Sequence, residues 1–173
     1  MGQRPARRAT RRLIVRLLLV SVGRSKAGPE RDLTQRYITR AAAAGRAQGF
    51  VVAQHEIDES RARRPQDRKF EEAKAVRAYL GAGARLIACD QSGKNFSSAE
   101  LAAELGRSRD RGAPAVALII GGPDGLDPEF CAETGLVLAF GAMTWPHQLA
   151  RIMAAEQLYR AITILGGHPY HRA

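Results

Sequence analysis

Two cysteines, Cys89 and Cys131, are all that the 173 residues contain, and each sits in an apolar segment. That excludes a disulfide framework and a cysteine-based zinc site, and it fits a reducing compartment. Aromatic residues are also scarce, at 6% with a single tryptophan. Acidic residues are missing from the first 26 positions, where Arg4, Arg7, Arg8, Arg11, Arg12, Arg16, Arg24 and Lys26 stand. The net charge is +10, so the chain beyond them is only two charges above neutrality. A basic chain is drawn to polyanions such as nucleic acid or a membrane face, although a solvated tail has the same composition. Long apolar runs are absent too. "RRATRRLIVRLLLVSVG" has the look of an export leader, but Arg16 interrupts its apolar run. Nothing approaches the roughly 18 apolar residues of a membrane span. Residues 13–22 read instead as a first buried strand.

What is present alternates in period. "LIVRLLLVSV" (13–22), "FVVAQHEI" (50–57), "RLIACD" (85–90), "AVALII" (115–120) and "LVLAF" (136–140) have strand character. Between them lie helical segments. One begins at Pro29 and ends at Gly45; a second puts Phe70, Ala73, Val76 or Arg77, and Leu80 near one stripe. A third opens with Ser97 and Glu100 in capping-box spacing, with Leu101 and Leu105 on one face. The last sets Leu149, Ile152, Met153 and Tyr159 on one side. Strands alternating with helices imply an α/β domain with a largely parallel sheet, and the length suits one domain. Such sheets bind ligands beyond the carboxyl ends of their strands. Charged residues 58–70, with Arg61, Arg63, Arg64, Arg68 and Lys69, form either a phosphate-backbone contact or a solvated connection.

Three stretches carry candidate chemistry. "LIIGGPDGL" (118–126) ends a strand in glycines, but no lysine follows as a Walker loop demands. The spacing of Gly121, Gly122 and Gly125 is not a dinucleotide fingerprint either. Phosphate is disfavoured, and a tight turn leaving the strand explains these glycines equally well. "FGAMTWPHQLAR" (140–151) offers small, thioether and aromatic groups that suit a flat purine, or that serve as plain core contacts. His147 and Arg151 share a helix face there, and no acid or second histidine stands beside His147 at metal-ligand spacing. "GGHPYHRA" (166–173) gathers aromatic and basic groups at the terminus. Tails are usually frayed, yet such groups also stack on bases and pair with phosphates.

In this order and spacing, "LIIGGPDGL", "MTWPHQLARIMAAEQLYRA" and "HPYHR" resemble the ribosomal RNA large-subunit methyltransferase H family of the SPOUT superfamily. "VGRSKAGPE" and "SGKNFSSAELA" fit as well, and the likeness spans roughly residues 14–173. The resemblance implies an α/β, SPOUT-type parallel-sheet domain over residues 13–173, with a C-terminal deep trefoil knot. It implies a cytoplasmic homodimer, without metal or membrane attachment, that binds S-adenosylmethionine and methylates N3 of a pseudouridine in 23S ribosomal RNA on the assembled ribosome. Matching positions assign the cofactor to Cys89, Gly121 and the loop Phe140, Gly141, Ala142, Met143, Thr144 and Trp145. Glu156, Arg160, Tyr170, His171 and Arg172 match residues that meet the RNA, with the tail of one protomer completing the site of the other. His171 is a candidate base and Arg172 a candidate anion stabiliser. A bulky residue at Gly121 is expected to abolish cofactor binding and leave the fold intact.

Two departures stand out. Cys89 replaces a leucine, which a backbone contact tolerates. Residues 1–12 precede the usual family start and read either as a mis-assigned translation start or as a basic arm adding ribosome affinity. Two further readings remain at this point: a SPOUT methyltransferase acting on another RNA nucleoside, and a non-catalytic ribosome-associated RNA-binding protein.

Overall fold

The computed structural model describes residues 14–170; the extension 1–12, Leu13, His171 and Arg172 lie outside the described residues. Five strands, β1 (Val15–Val22), β2 (Phe50–Ile57), β3 (Arg85–Asn95), β4 (Ala115–Ile120) and β5 (Val137–Ala139), alternate with five helices. The helices are α1 (Pro29–Gly45), α2 (Pro65–Leu80), α3 (Ser98–Asp110), α4 (Pro128–Thr134) and α5 (His147–Leu165). All strand pairs are parallel, in the order β2-β1-β4-β3-β5.

Alternate side chains of the central strands feed two cores. Leu17 and Leu19 of β1 and Val116 and Leu118 of β4 pack with Ile38, Leu101, Leu105 and Leu158, which come from α1, α3 and α5. Leu18, Val20, Ala117 and Ile119 face the other way, toward Ala73, Val76 and Leu80 of α2 and Phe130 of α4. Burial on both faces is why β1 and β4 read as continuous apolar runs rather than alternating ones. Leftward moves in this order, through α1 and α3, pass over one face and rightward moves, through α2 and α4, over the other, so the four crossovers share one hand.

The start signals act as their chemistry dictates. Ser97 accepts the Glu100 N–H at 3.2 Å while Glu100 accepts the Ser97 N–H at 2.7 Å, closing the capping box of α3. Asp127 caps α4 in the same way through the Phe130 N–H.

Three expectations need correction. Strand β3 does not stop at Asp90 but runs to Asn95, re-pairing with β5 after a register shift between Cys89 and Lys94. Its polar second half carries no apolar signal. Gly93 permits it, because a Cβ there would lie 2.6 Å from the Val137 carbonyl carbon. On α2, Phe70 points outward and Glu72 is buried instead. The side chain of Glu72 accepts the Ser60 N–H at 3.0 Å, holding the β2–α2 connection.

On α5 the buried face is Arg151, Ala154, Ala155, Leu158, Ala161 and Ile162, not the stripe of Leu149, Ile152, Met153 and Tyr159. Small alanines let α5 lie close on α1, whose Ala41 and Gly45 are buried beneath it. The larger apolar side chains are left over.

Burial pushes the Glu72 carboxyl above its ordinary range. A raised native pKa means that the ionised form costs stability at neutral pH, a cost that vanishes as pH falls below both the native and unfolded values. Glu72→Gln keeps an acceptor for Ser60 without the charge. Its denaturant midpoint should exceed that of the parent at pH 7, and the gain should fade toward pH 4 in urea titrations.

Candidate cofactor and RNA site

Beyond the carboxyl ends of β3, β4 and β5 lies a cavity of about 610 Å³. Cys89 and Asp90 contribute from β3, Gly121 through Leu126 from the turn after β4, and Phe140, Gly141, Met143, Thr144 and Trp145 from the loop after β5. Seven of the eight sequence-predicted cofactor residues therefore share one wall-to-wall space, and Ala142 alone is not part of its lining. The size falls within the range of small-molecule sites, and position beyond parallel strand ends is where such sheets bind ligands.

The glycine-rich turn is a local structure first. The Gly125 N–H reaches the Gly122 carbonyl at 2.9 Å, and Gly125 has a φ of 81°. A Cβ on Gly121 would lie 2.7 Å from the Gly125 carbonyl carbon and 2.9 Å from the Leu126 nitrogen. What approaches the Gly121 backbone closely is the returning chain itself. The expectation that a bulky residue there leaves the fold untouched is thus corrected. Arg68 steadies the turn from α2, its Nε and Nη2 reaching Asp124 at 2.6 and 3.0 Å.

Loop 140–146 is held mostly by groups that the strand reading stopped short of. Gly141 donates its N–H to Asn95 Oδ1 at 3.1 Å, and the Thr144 hydroxyl reaches Gln91 Oε1 at 3.2 Å. Trp145 donates its indole N–H to the Phe140 carbonyl at 2.9 Å, so that acceptor serves the loop. Asn95 and Gln91 were missed because a polar stretch after an apolar run reads as a turn. Burial pushes the Cys89 thiol up to about 12, so the side chain stays protonated and offers no nucleophile.

Arg151, noted for its place one turn beyond His147, is 3% exposed. Its Nη2 donates to the carbonyls of Val22 at 2.5 Å and Gly23 at 2.9 Å, and its Nη1 to the Ser25 hydroxyl at 2.6 Å. It ties the start of α5 to the end of β1. Burial lowers its pKa, opposed by Glu56 and Glu59.

The three described RNA candidates meet on α5. Glu156 Oε1 accepts from Arg160 Nε at 2.9 Å, Arg160 Nη2 at 2.5 Å and the Tyr170 hydroxyl at 3.1 Å. The Arg160 guanidinium lies 4.9 Å over the Tyr170 ring, whose centroid is 4.7 Å from that of Tyr159. Burial, then the Glu156 carboxylate, push the Tyr170 phenol up to about 12. Tyr170 is therefore a neutral donor rather than a base near pH 7. Glu156 also lines a second cavity of about 450 Å³, bounded by Tyr37, Asn95, Phe96, Met153 and the same Phe140 and Gly141 that border the first. Among the described residues no cluster of three metal-ligating side chains occurs, and no helix is long and apolar enough to cross a membrane.

A family model described as "Predicted SPOUT methyltransferase" matches residues 15–171. The chain belongs to this family. Within it, the chain is 61% identical over 159 residues to the ribosomal RNA large subunit methyltransferase H of Methylocella silvestris, covering 91% of this chain and 99% of that protein. The like-named protein of Beijerinckia indica is 54% identical over 160 residues, covering 92% and 100%. Membership of the methyltransferase H family is thereby established at the level of sequence. Among solved structures, a tRNA modifying enzyme of A. aeolicus aligns at a TM-score of 0.44 with 14% identity, over 90% of this chain and 81% of that one.

Gly121→Ala should cost about 1–3 kcal/mol of stability, because a well-packed backbone contact must open. Chemical denaturation of the variant against the parent checks this.

Proposed function

We propose that the chain methylates N3 of a pseudouridine in 23S ribosomal RNA on the assembled ribosome, with S-adenosylmethionine as methyl donor. The observation that carries this reading is the convergence of Cys89, Gly121 and the Phe140–Trp145 loop on one cavity at three strand ends. The residues fit such a ligand: apolar Ile120, Leu126, Phe140 and Trp145 offer faces for an adenine, and charged groups border one side. Bound there, the donor supplies a methyl group on a sulfonium.

The chain's own residues then have positional work. Asn95, Gln91 and Trp145 fix the 140–146 loop, and Arg68 fixes the 121–126 turn, so the walls are set before a ligand enters. Alignment of two reactants accounts for a large part of such a rate enhancement. The shared wall at Phe140 and Gly141 makes the second cavity the natural approach for the RNA base, with Glu156, Arg160 and Tyr170 at its margin. The imide proton needs an acceptor. Glu156 already receives four hydrogen bonds and Tyr170 is held protonated, so we assign this task to His171, with Arg172 to stabilise the developing anion.

The homodimer belongs to the same proposal. Met143 is 71% exposed, and Trp145 and Leu149 are each 41% exposed, a row of large apolar side chains at the start of α5. Exposed apolar patches of this kind mark partner surfaces. The C-terminal knot, the single domain over residues 13–173 and a cytoplasmic location complete the reading. In support of the knot, residues 140–146 cross the far end of β3 before α5 turns back onto α1.

Titration calorimetry with S-adenosylmethionine should show saturable binding, and ribosomal RNA from a deletion strain should regain one methylated pseudouridine when the gene is restored. Removing residues from His168 onward should leave cofactor affinity unchanged and abolish RNA methylation. Absence of binding at millimolar donor would leave only a non-catalytic RNA-binding role; methylation of a different nucleoside would redirect the substrate assignment.

A further inference from the structure

The larger cavity has a charge pattern that the methyl donor's core does not explain. Lys69, from the first turns of α2, is the one lysine or arginine among its lining side chains. Four other titratable groups share the wall: the protonated Cys89, Asp90, Asp124 and His147. Asp124 is neutralised by the two-pronged contact from Arg68. Asp90 Oδ1 is occupied by the Ser92 N–H at 2.9 Å and the Ser92 hydroxyl at 2.6 Å. Lys69, by contrast, meets no hydrogen-bond or ion-pair partner among the described residues. Its side chain is half-buried at the cavity edge rather than extended into solvent.

A half-buried ammonium beside a ligand space selects a negative group on the ligand. Phosphate is a poor match, since Asp90 faces the same space and would repel a dianion. A single carboxylate on a ligand that also carries positive charge suits both signs.

We propose that Lys69 receives the carboxylate of the methionine arm of S-adenosylmethionine, and so selects donors that carry the intact amino acid. This assignment rests on the reading of the cavity as the methyl-donor site. Lys69 is then a specificity-determining residue supplied by α2, outside the three strand-end segments that enclose the nucleoside. It also gives part of the charged 58–70 connection a role other than contact with an RNA backbone.

The test uses the full-length protein and two ligands, S-adenosylmethionine and its decarboxylated analogue, each titrated calorimetrically into the parent, Lys69→Met and Lys69→Arg. A charge-assisted contact of this kind corresponds to about tenfold or more in affinity. The parent should prefer the intact donor. Lys69→Met should weaken the intact donor about tenfold and leave the decarboxylated analogue unchanged, and Lys69→Arg should restore part of the preference. The analogue thus reports on whether the variant keeps its fold. Equal weakening of both ligands, or no weakening of either, overturns the assignment of Lys69. Failure of the parent to bind either ligand at millimolar concentration overturns the donor-site reading itself, and that outcome is read without any variant.

Discussion

A parallel sheet whose strands end inside the molecule must satisfy the backbone groups at those ends with something other than another strand. Each end here is solved differently, and the site follows from the solutions. At β1, the buried Arg151 guanidinium caps the carbonyls of Val22 and Gly23, and in doing so fixes where α5 starts. At β4, the chain folds back on itself, and Gly121 is glycine because Gly125 and Leu126 lie against it. At β5, Asn95 and the Trp145 indole take up the Gly141 N–H and the Phe140 carbonyl. The cavity lies between the last two of these terminations and the stretch of β3 from Cys89 to Gln91.

This arrangement explains which parts were legible beforehand. The apolar runs gave the strands, since burial on both faces writes itself into composition, and Pro29, Ser97 and Gly45 marked helix ends through local chemistry. The polar half of β3 was hidden because its pairing with β5 depends on backbone contact at Gly93, which no side-chain pattern records. Glu72 was hidden for a related reason. Its partner is a main-chain N–H at Ser60, and main-chain partners are invisible to periodicity. The cofactor positions came from family likeness rather than from spacing; Asn95 lay within the stretch "SGKNFSSAELA" that carried that likeness but had no role assigned, and Gln91 belonged to neither signal.

The electrostatics are local in the same sense. Beyond residue 26 the chain is close to neutral, so a general field cannot direct it to RNA. What the described residues offer instead is a compact set in which one carboxylate, Glu156, organises Arg160 and Tyr170. Placing a guanidinium over an aromatic ring beside a carboxylate orients both, at the cost of some of the guanidinium's free charge. That favours geometry over attraction.

Helix α5 connects these themes because no face of it is idle. Arg151, Ala154, Leu158 and Ile162 face the sheet and α1, where small residues set a close approach. Glu156 and Arg160 lie to one side with Tyr170 folded over them. Leu149, Ile152 and Met153 remain, too large for the first role and too apolar for the second. A helix that buries its alanines, Leu158 and Ile162 within the chain and leaves Leu149 exposed, with Ile152 and Met153 half-buried at a cavity, offers the kind of apolar face that the proposed dimer would cover. Were the proposed dimer to form on this face, the loop carrying Met143 and Trp145, already held by Asn95 and Gln91, would gain a second support, and dimer assembly would be coupled to completion of the cavity wall.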